Sequence, residues 1–486
     1  MALAGCGGSK SSSSALDEAV GYLPKDAPFV VEVKTDLGSA QYQNLDRILG
    51  KFPFGDQVKQ SVKRSIEENS VDFEKDIKPV LGNPFVVGAA DPRAVTEGKN
   101  DSFVAALKAK DKGKLGDLVD KEKKKDDGEK NGFKLYRDNQ GDSFAVKDDV
   151  IVFGGTKGVL EDAIAQRGKD DRLTEDDFEA AVKGLPKDAL FRASGDIQSL
   201  LKSDPGSADA RKVKWVDALR TFGVSGSVES DRLAIDFRVK TDSGRIGHGD
   251  LPIASGGDAP GVVQRPGEVN VGLRDPRQAL EFSQAAAQAV DPQGYAQFAQ
   301  AKKQIEQGLG VSIDDDIVGQ LTGDTSVNFT LDGKFGIRAE LKDPAAFKRT
   351  LAKSAKVLPR VAKSLGAGTV DLSRPKKGED FYVLAEPDGS SVVFGVVNNA
   401  LVLSNQPARA SRLATESPKS VSGAEGSAIF TADGQKLADQ ILRGLVSRIG
   451  PGGALGSLFT GPLGDVTGSV RSETDGLTGK VTLTFD

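Results

Sequence analysis

Val71-Asp72-Phe73-Glu74-Lys75-Asp76-Ile77 returns later in the chain as Val311-Ser312-Ile313-Asp314-Asp315-Asp316-Ile317, at an offset of 240 residues. A chain that repeats itself folds as successive copies of one plan, so this pair sets the reading of everything around it. Downstream, Phe85-Val86-Val87-Gly88-Ala89-Ala90-Asp91 faces Ser326-Val327-Asn328-Phe329-Thr330-Leu331-Asp332. Val150-Ile151-Val152-Phe153 faces Ala400-Leu401-Val402-Leu403. Each copy closes on a hairpin pattern, Gly226-Ser227-Val228 to Val239 in the first and Gly468-Ser469-Val470 to Phe485 in the second. The matches keep their order and their offsets stay between 240 and 250. The expectation is an internal duplication: a first repeat over 16–242, a linker over 243–266 and a second repeat over 267–486.

Within the first copy, Leu23-Pro24-Lys25-Asp26-Ala27 reads as a turn, with proline fixing φ at its first corner. Phe29–Val33 then reads as a strand. Val58, Val62 and Ile66 recur at helical spacing. Lys110 to Lys130 interleaves both charge signs and reads as a solvated helix and loop. Ser143–Lys147 and Val150–Phe153 read as a hairpin joined at Asp148-Asp149. Thr174-Glu175-Asp176-Asp177-Phe178 reads as a capped helix start, with Asp177 reaching back to Thr174. Leu185-Pro186-Lys187-Asp188-Ala189 repeats the earlier pentapeptide letter for letter before another strand. In the second copy Tyr295, Phe298, Ile305 and Leu309 share one helical face. Hairpins and strand pairs of this kind give an α+β class: two tandem homologous halves, each an antiparallel sheet with helices packed on one face.

The chain starts Met1-Ala2-Leu3-Ala4-Gly5-Cys6, and its only cysteine is Cys6. Gly7, Gly8, Ser9, Lys10 and the run Ser11 to Ser14 follow, a flexible polar tether that makes 1–15 a segment apart. Leu3-Ala4-Gly5-Cys6 resembles the lipobox of bacterial lipoproteins, which implies Cys6 as the lipid attachment site and mature N-terminus. The segment ahead of Cys6 is shorter than the basic and apolar regions of a full signal peptide, and the expectation is a true start further upstream. Two acyl chains hold a protein to a bilayer stably where one holds it marginally. Together with the Leu-Pro-Lys-Asp-Ala turn, the duplicated α+β halves and Leu251-Pro252-Ile253-Ala254-Ser255-Gly256 in the linker, this resembles a family of bacterial lipoproteins from high-GC Gram-positive lineages. That family is known only as a domain of unknown function, and it implies a location and no activity.

Composition narrows the function classes. A net charge of −5 and a pI near 5.4 do not suit a nucleic-acid binder. No apolar run approaches the ~18 residues of a membrane helix. A single cysteine excludes an intrachain disulfide framework. His248 is the only histidine and sits in the glycine-rich linker, which leaves no Ser-His-Asp or Cys-His triad and no histidine zinc site. Gly154-Gly155-Thr156-Lys157-Gly158 follows a strand and opens a helix, a context that can bind phosphate, but it lacks the full phosphate-loop pattern. Asp314-Asp315-Asp316 does not alternate as a calcium loop does; consecutive acids also suit a helix start. Asn328-Phe329-Thr330 is formally a glycosylation sequon inside a strand that looks buried. No catalytic, metal or cofactor residue is assigned and no cofactor is expected. The expected function is that of an extracytoplasmic lipoprotein anchored to the cell membrane, a non-catalytic binding or scaffold protein of the envelope. The alternative is a carrier of an apolar or lipid ligand between sheet and helices. A carboxylate-based hydrolase ranks behind both.

Overall fold

The computed structural model describes residues 14–66, 71–98, 102–121, 124–138, 141–364, 370–375, 380–385, 389–439, 441 and 460–486. Cys6 lies outside them. The chain divides into two units. The first holds the described residues up to Gly50, then Phe54–Pro205 and Thr221–Ser230; the second holds Lys51–Pro53, Gly206–Arg220 and the described residues from Asp231 onward.

The first unit is built on strands β1 (Phe29–Val33), β2 (Phe85–Ala89), β3 (Phe103–Lys108), β4 (Lys125–Lys130), β5 (Phe133–Arg137), β6 (Ser143–Lys147), β7 (Val150–Gly154), β8 (Phe191–Asp196) and β9 (Leu219–Val228). They pair antiparallel in the order β4-β5-β6-β7-β3-β2-β1-β8-β9. Burial alternates along β1, with Val30 and Glu32 inside, as the two-residue period of a strand requires. Leu16, Val20, Val30, Val86, Val152, Leu160 and Phe178 belong to the main core. The helices over that face are Ala15–Val20, Lys157–Gln166 and Glu175–Ala181. Leu107 and Ile151 point the other way and pack with Leu115 and Val119 of helix Lys112–Lys121. The α+β class and the antiparallel sheet are as read from the sequence. The helices, however, cover both faces, because both pleats of β3 and β7 are apolar.

The second unit contains β10 (Arg232–Thr241), β11 (Val269–Leu273), β12 (Thr325–Phe329), β13 (Phe335–Glu340), β14 (Asp371–Ser373), β15 (Phe381–Ala385), β16 (Ser391–Val397), β17 (Ala400–Ser404), β18 (Ala428–Asp433), β19 (Leu463–Glu473) and β20 (Gly476–Phe485). Their antiparallel order is β14-β15-β16-β17-β13-β12-β11-β18-β19, followed by β20 and β10. Through β19 this is the strand order of the first unit, position for position. Helix Pro407–Thr415 follows β17 as helix Lys157–Gln166 follows β7. Its Ala410 and Leu413 pack with Val393, Val402 and Val263.

The repeated heptapeptide has a local cause. Each copy forms one π-turn, Phe73–Ile77 and Ile313–Ile317. Asp76 accepts a hydrogen bond from the Asp72 N–H at 2.8 Å, and Asp316 accepts one from the Ser312 N–H at 2.8 Å. The hairpins β6–β7 and β16–β17 turn at Asp148 and Asn398, with φ of 55° and 53°, a region that Asp and Asn tolerate better than other side chains.

The 243–266 segment carries no apolar period, yet it packs. Leu251 is fully buried with Ile246, Ala218 and part of Trp215. Gln278 Nε2 donates to the Leu251 carbonyl at 2.7 Å. Isolated apolar residues thus found a small core in this glycine-rich segment without needing a repeat.

Candidate functional site

A cleft in the second unit has a volume of about 850 Å³. Its floor is a cross-strand row on one sheet face: Asn270 of β11 lies opposite Thr431 of β18, which lies opposite Thr467 of β19. Its walls come from residues 262–267 ahead of β11 and residues 416–422 behind helix Pro407–Thr415. Those walls join at one antiparallel bridge, Val262 to Lys419, closed by backbone hydrogen bonds of 2.8 and 2.9 Å.

The same face of the first unit is closed. There the bridge is Pro24 to Arg172. The chain then forms helix Glu175–Ala181, started by a capping box in which Thr174 and Asp177 satisfy each other's backbone N–H. Phe178 inserts from this helix into the core at 1% exposure. Glu179 reaches Arg192 of β8 at 2.7 Å, and Arg192 Nε donates to Glu32 of β1 at 2.7 Å. Burial pushes the Glu32 carboxyl up against the pull of Arg192, while the Arg192 hydrogen bond holds Glu179 down. Glu32 and Glu179 are thus two carboxylates sharing one arginine, and Glu32 is sealed at 4% side-chain exposure. That is an ion triad on the inner face of the sheet. In the second unit the chain passes from Lys419 to β18 with no helix, and no helix matches Ala15–Val20 ahead of β11. The cleft is what remains where both are missing.

A buried amide network builds one wall. Asn328 and Asn270 are 0% and 4% exposed. Asn328 Nδ2 donates to Asn270 Oδ1 at 2.7 Å, and also to the Val263 carbonyl. Asn270 Oδ1 accepts from the Arg265 N–H at 2.9 Å, and Asn270 Nδ2 donates to the Arg265 carbonyl at 3.3 Å. Glu268, just before β11, is clamped by Arg409 through two contacts of 2.8 Å. At the rim Asp433 lies opposite Asp465. The Asp433 carboxyl sits below the usual range: burial opposes this, and hydrogen bonds from Lys436 outweigh it.

None of the residues weighed from the sequence supplies this site, apart from Asn328 behind its wall. Asn328, read as a sequon, is fully buried, and its Nδ2 is committed to hydrogen bonds. His248 lies exposed in a short helical turn, His248–Asp250, with Nδ1 3.2 Å from Ser255 Oγ. The nearby Asp250 is engaged by the Gly247 N–H at 2.9 Å and by Lys214. Thr156 caps helix Lys157–Gln166, and Lys157 bonds the Asp127 carbonyl at 2.6 Å. A Cβ on Gly154 would meet the Leu160 N at 2.7 Å, so close packing accounts for that glycine. Among the described residues no group of three or more His, Cys, Asp or Glu is placed to hold a metal, and no helix is long and apolar enough to cross a membrane. Sequence reasoning missed Arg265, Asn270, Thr431 and Thr467. The available signal was Asn270, a polar residue at an inward position of Val269-Asn270-Val271.

These features define the class: an α+β protein of two antiparallel-sheet units with a polar cleft in the second. Residues 3–243 match the model of a family described as "Protein of unknown function (DUF3352)". No curated protein matches it. Among solved structures it is similar to crystal form III of TP0453, with 7% identity over 47% of this chain and 82% of that chain at a TM-score of 0.27. Crystal form IV gives 8% over 48% and 82% at 0.28. These scores are too low for a shared fold to be argued.

Proposed function

We propose that this chain is a membrane-anchored, extracytoplasmic binding protein of the cell envelope, and that the second-unit cleft is where it binds. The observation that carries the reading is the contrast between two sheets of one strand order, one face plugged by Phe178 and the other open over about 850 Å³. A volume of this size accommodates a small-molecule ligand. The hydroxyls of Thr431 and Thr467 on the floor offer hydrogen bonds, which supports a polar ligand over the apolar carrier. Anchorage rests on Leu3-Ala4-Gly5-Cys6 and the tether behind it.

Native mass spectrometry of the purified chain after exposure to a polar envelope extract tests the site. The parent is expected to retain an adduct that Thr467→Trp, which fills the floor, loses. An adduct retained equally by both proteins overturns the assignment of the cleft. Membrane fractionation of Cys6→Ala, expressed behind a bacterial lipoprotein signal peptide, tests the anchor. The variant is expected in the soluble fraction, and retention in the membrane refutes the lipid attachment.

A further inference from the structure

The cleft holds a charge that the rest of the unit leaves incompletely answered. The Arg265 side chain is 11% exposed, and its nearest acid is Glu416, with Nη2 and Oε2 2.8 Å apart. That pair is off the hydrogen-bonding direction: among the described residues neither Nε nor Nη2 of Arg265 meets an acceptor. Leaving buried guanidinium donors without acceptors is costly. The position is nonetheless rigidly built, because Asn270 pins the backbone of Arg265 on both sides and Asn328 pins Asn270.

The first unit answers a more exposed cation at the matching offset. Lys25 lies four residues ahead of β1, as Arg265 lies four ahead of β11. Lys25 Nζ pairs with Asp177 at 2.9 Å, and Asp177 belongs to the plugging helix that the second unit lacks. Resting on the reading of the cleft as a binding site, we propose that its ligand carries an oxyanion, a carboxylate or a phosphate, that docks on Arg265 in the place Asp177 holds beside Lys25. Guanidinium donors suit both groups, and their planar fork matches two oxygens at once. Glu416 competes for the same cation, so it sets the affinity rather than supplying the site.

The test uses the full chain with citrate and inorganic phosphate as probes, at ionic strength matched with sodium chloride, and reads the shift in thermal midpoint and the dissociation constant by calorimetry. The parent is expected to bind at least one probe. Arg265→Gln is expected to weaken binding about tenfold or more, as loss of a charge-assisted pair does. Glu416→Gln is expected to tighten it several-fold, a gain that a merely structural pair does not give. Binding of citrate alone identifies a carboxylate, and binding of phosphate alone a phosphate. If neither probe binds, or if Glu416→Gln binds no tighter than the parent, the proposal is overturned. An extract adduct that Thr467→Trp loses but Arg265→Gln keeps overturns it while leaving the cleft as the binding site.

Discussion

The two units share a strand order and differ in what covers one face. In the first, helix Glu175–Ala181 lays Phe178 and Glu179 over β1 and β8, and Arg192 ties two carboxylates beneath it. In the second, a short connection leaves Thr431 and Thr467 facing a cleft. The sheet is the scaffold in both. A few residues between a bridge and a strand decide whether its surface is a sealed core or a site.

Substitutions on the two faces measure that difference. Phe178→Ala is expected to act most strongly, costing about 3–5 kcal/mol for the lost burial and the cavity left behind. Hydrogen exchange of the full chain reads it as lost protection in Glu175–Ala181 and β8; unchanged protection means that the helix is not a plug. Thr174→Ala removes the cap alone and is expected to cost about 1 kcal/mol, seen as a lower urea midpoint with an unchanged slope.

Acid–base behaviour sharpens the same contrast within the first unit. Asp177 is held below the ordinary carboxylate range by the Thr174 hydroxyl and by Lys25. Its contribution is therefore present above its unfolded pKa and lost as pH falls through the folded value. Glu32 is pushed up by burial, so its contribution is greatest in acid and declines as pH rises through its unfolded and then its folded pKa. Asp177→Asn should flatten the acid side of a stability–pH profile, and Glu32→Gln should change it in the opposite sense. Parallel changes would contradict these environments. The smallest effect is expected in the second unit. Thr467→Val, on the open floor, should stay within about 0.5 kcal/mol by urea unfolding, and a loss as large as that of Phe178→Ala would mean that the floor is core.

Much of the architecture could be read along the chain because it is set by local chemistry. The heptapeptide repeat marks two π-turns closed by Asp76 and Asp316. Asp148 and Asn398 mark two matching hairpin turns. The capping box at Thr174 was legible too. What was not legible is the consequence of its missing counterpart, since an absent helix leaves no residues to read. Arg265 was hidden for a related reason: what singles it out is that, among the described residues, its Nε and Nη2 meet no acceptor. Residues 125–130 were read as part of a solvated loop, yet Lys125–Lys130 is an edge strand, β4. Charge on an edge discourages further strand pairing, and in sequence that protection looks like a loop.

The pairing of β10 with β20 sets a condition on the order of events during synthesis. Arg232 finds Thr484 and Lys240 finds Gly476 across that ladder, so one edge of β10 waits for nearly the whole second half of the chain. Contacts of such long sequence separation form slowly, and an open strand edge is an invitation to pair wrongly. A ribosome stalled before residue 476 is expected to hold a chain whose second-unit sheet is incomplete at β10, and release of the last strand is the step that closes it.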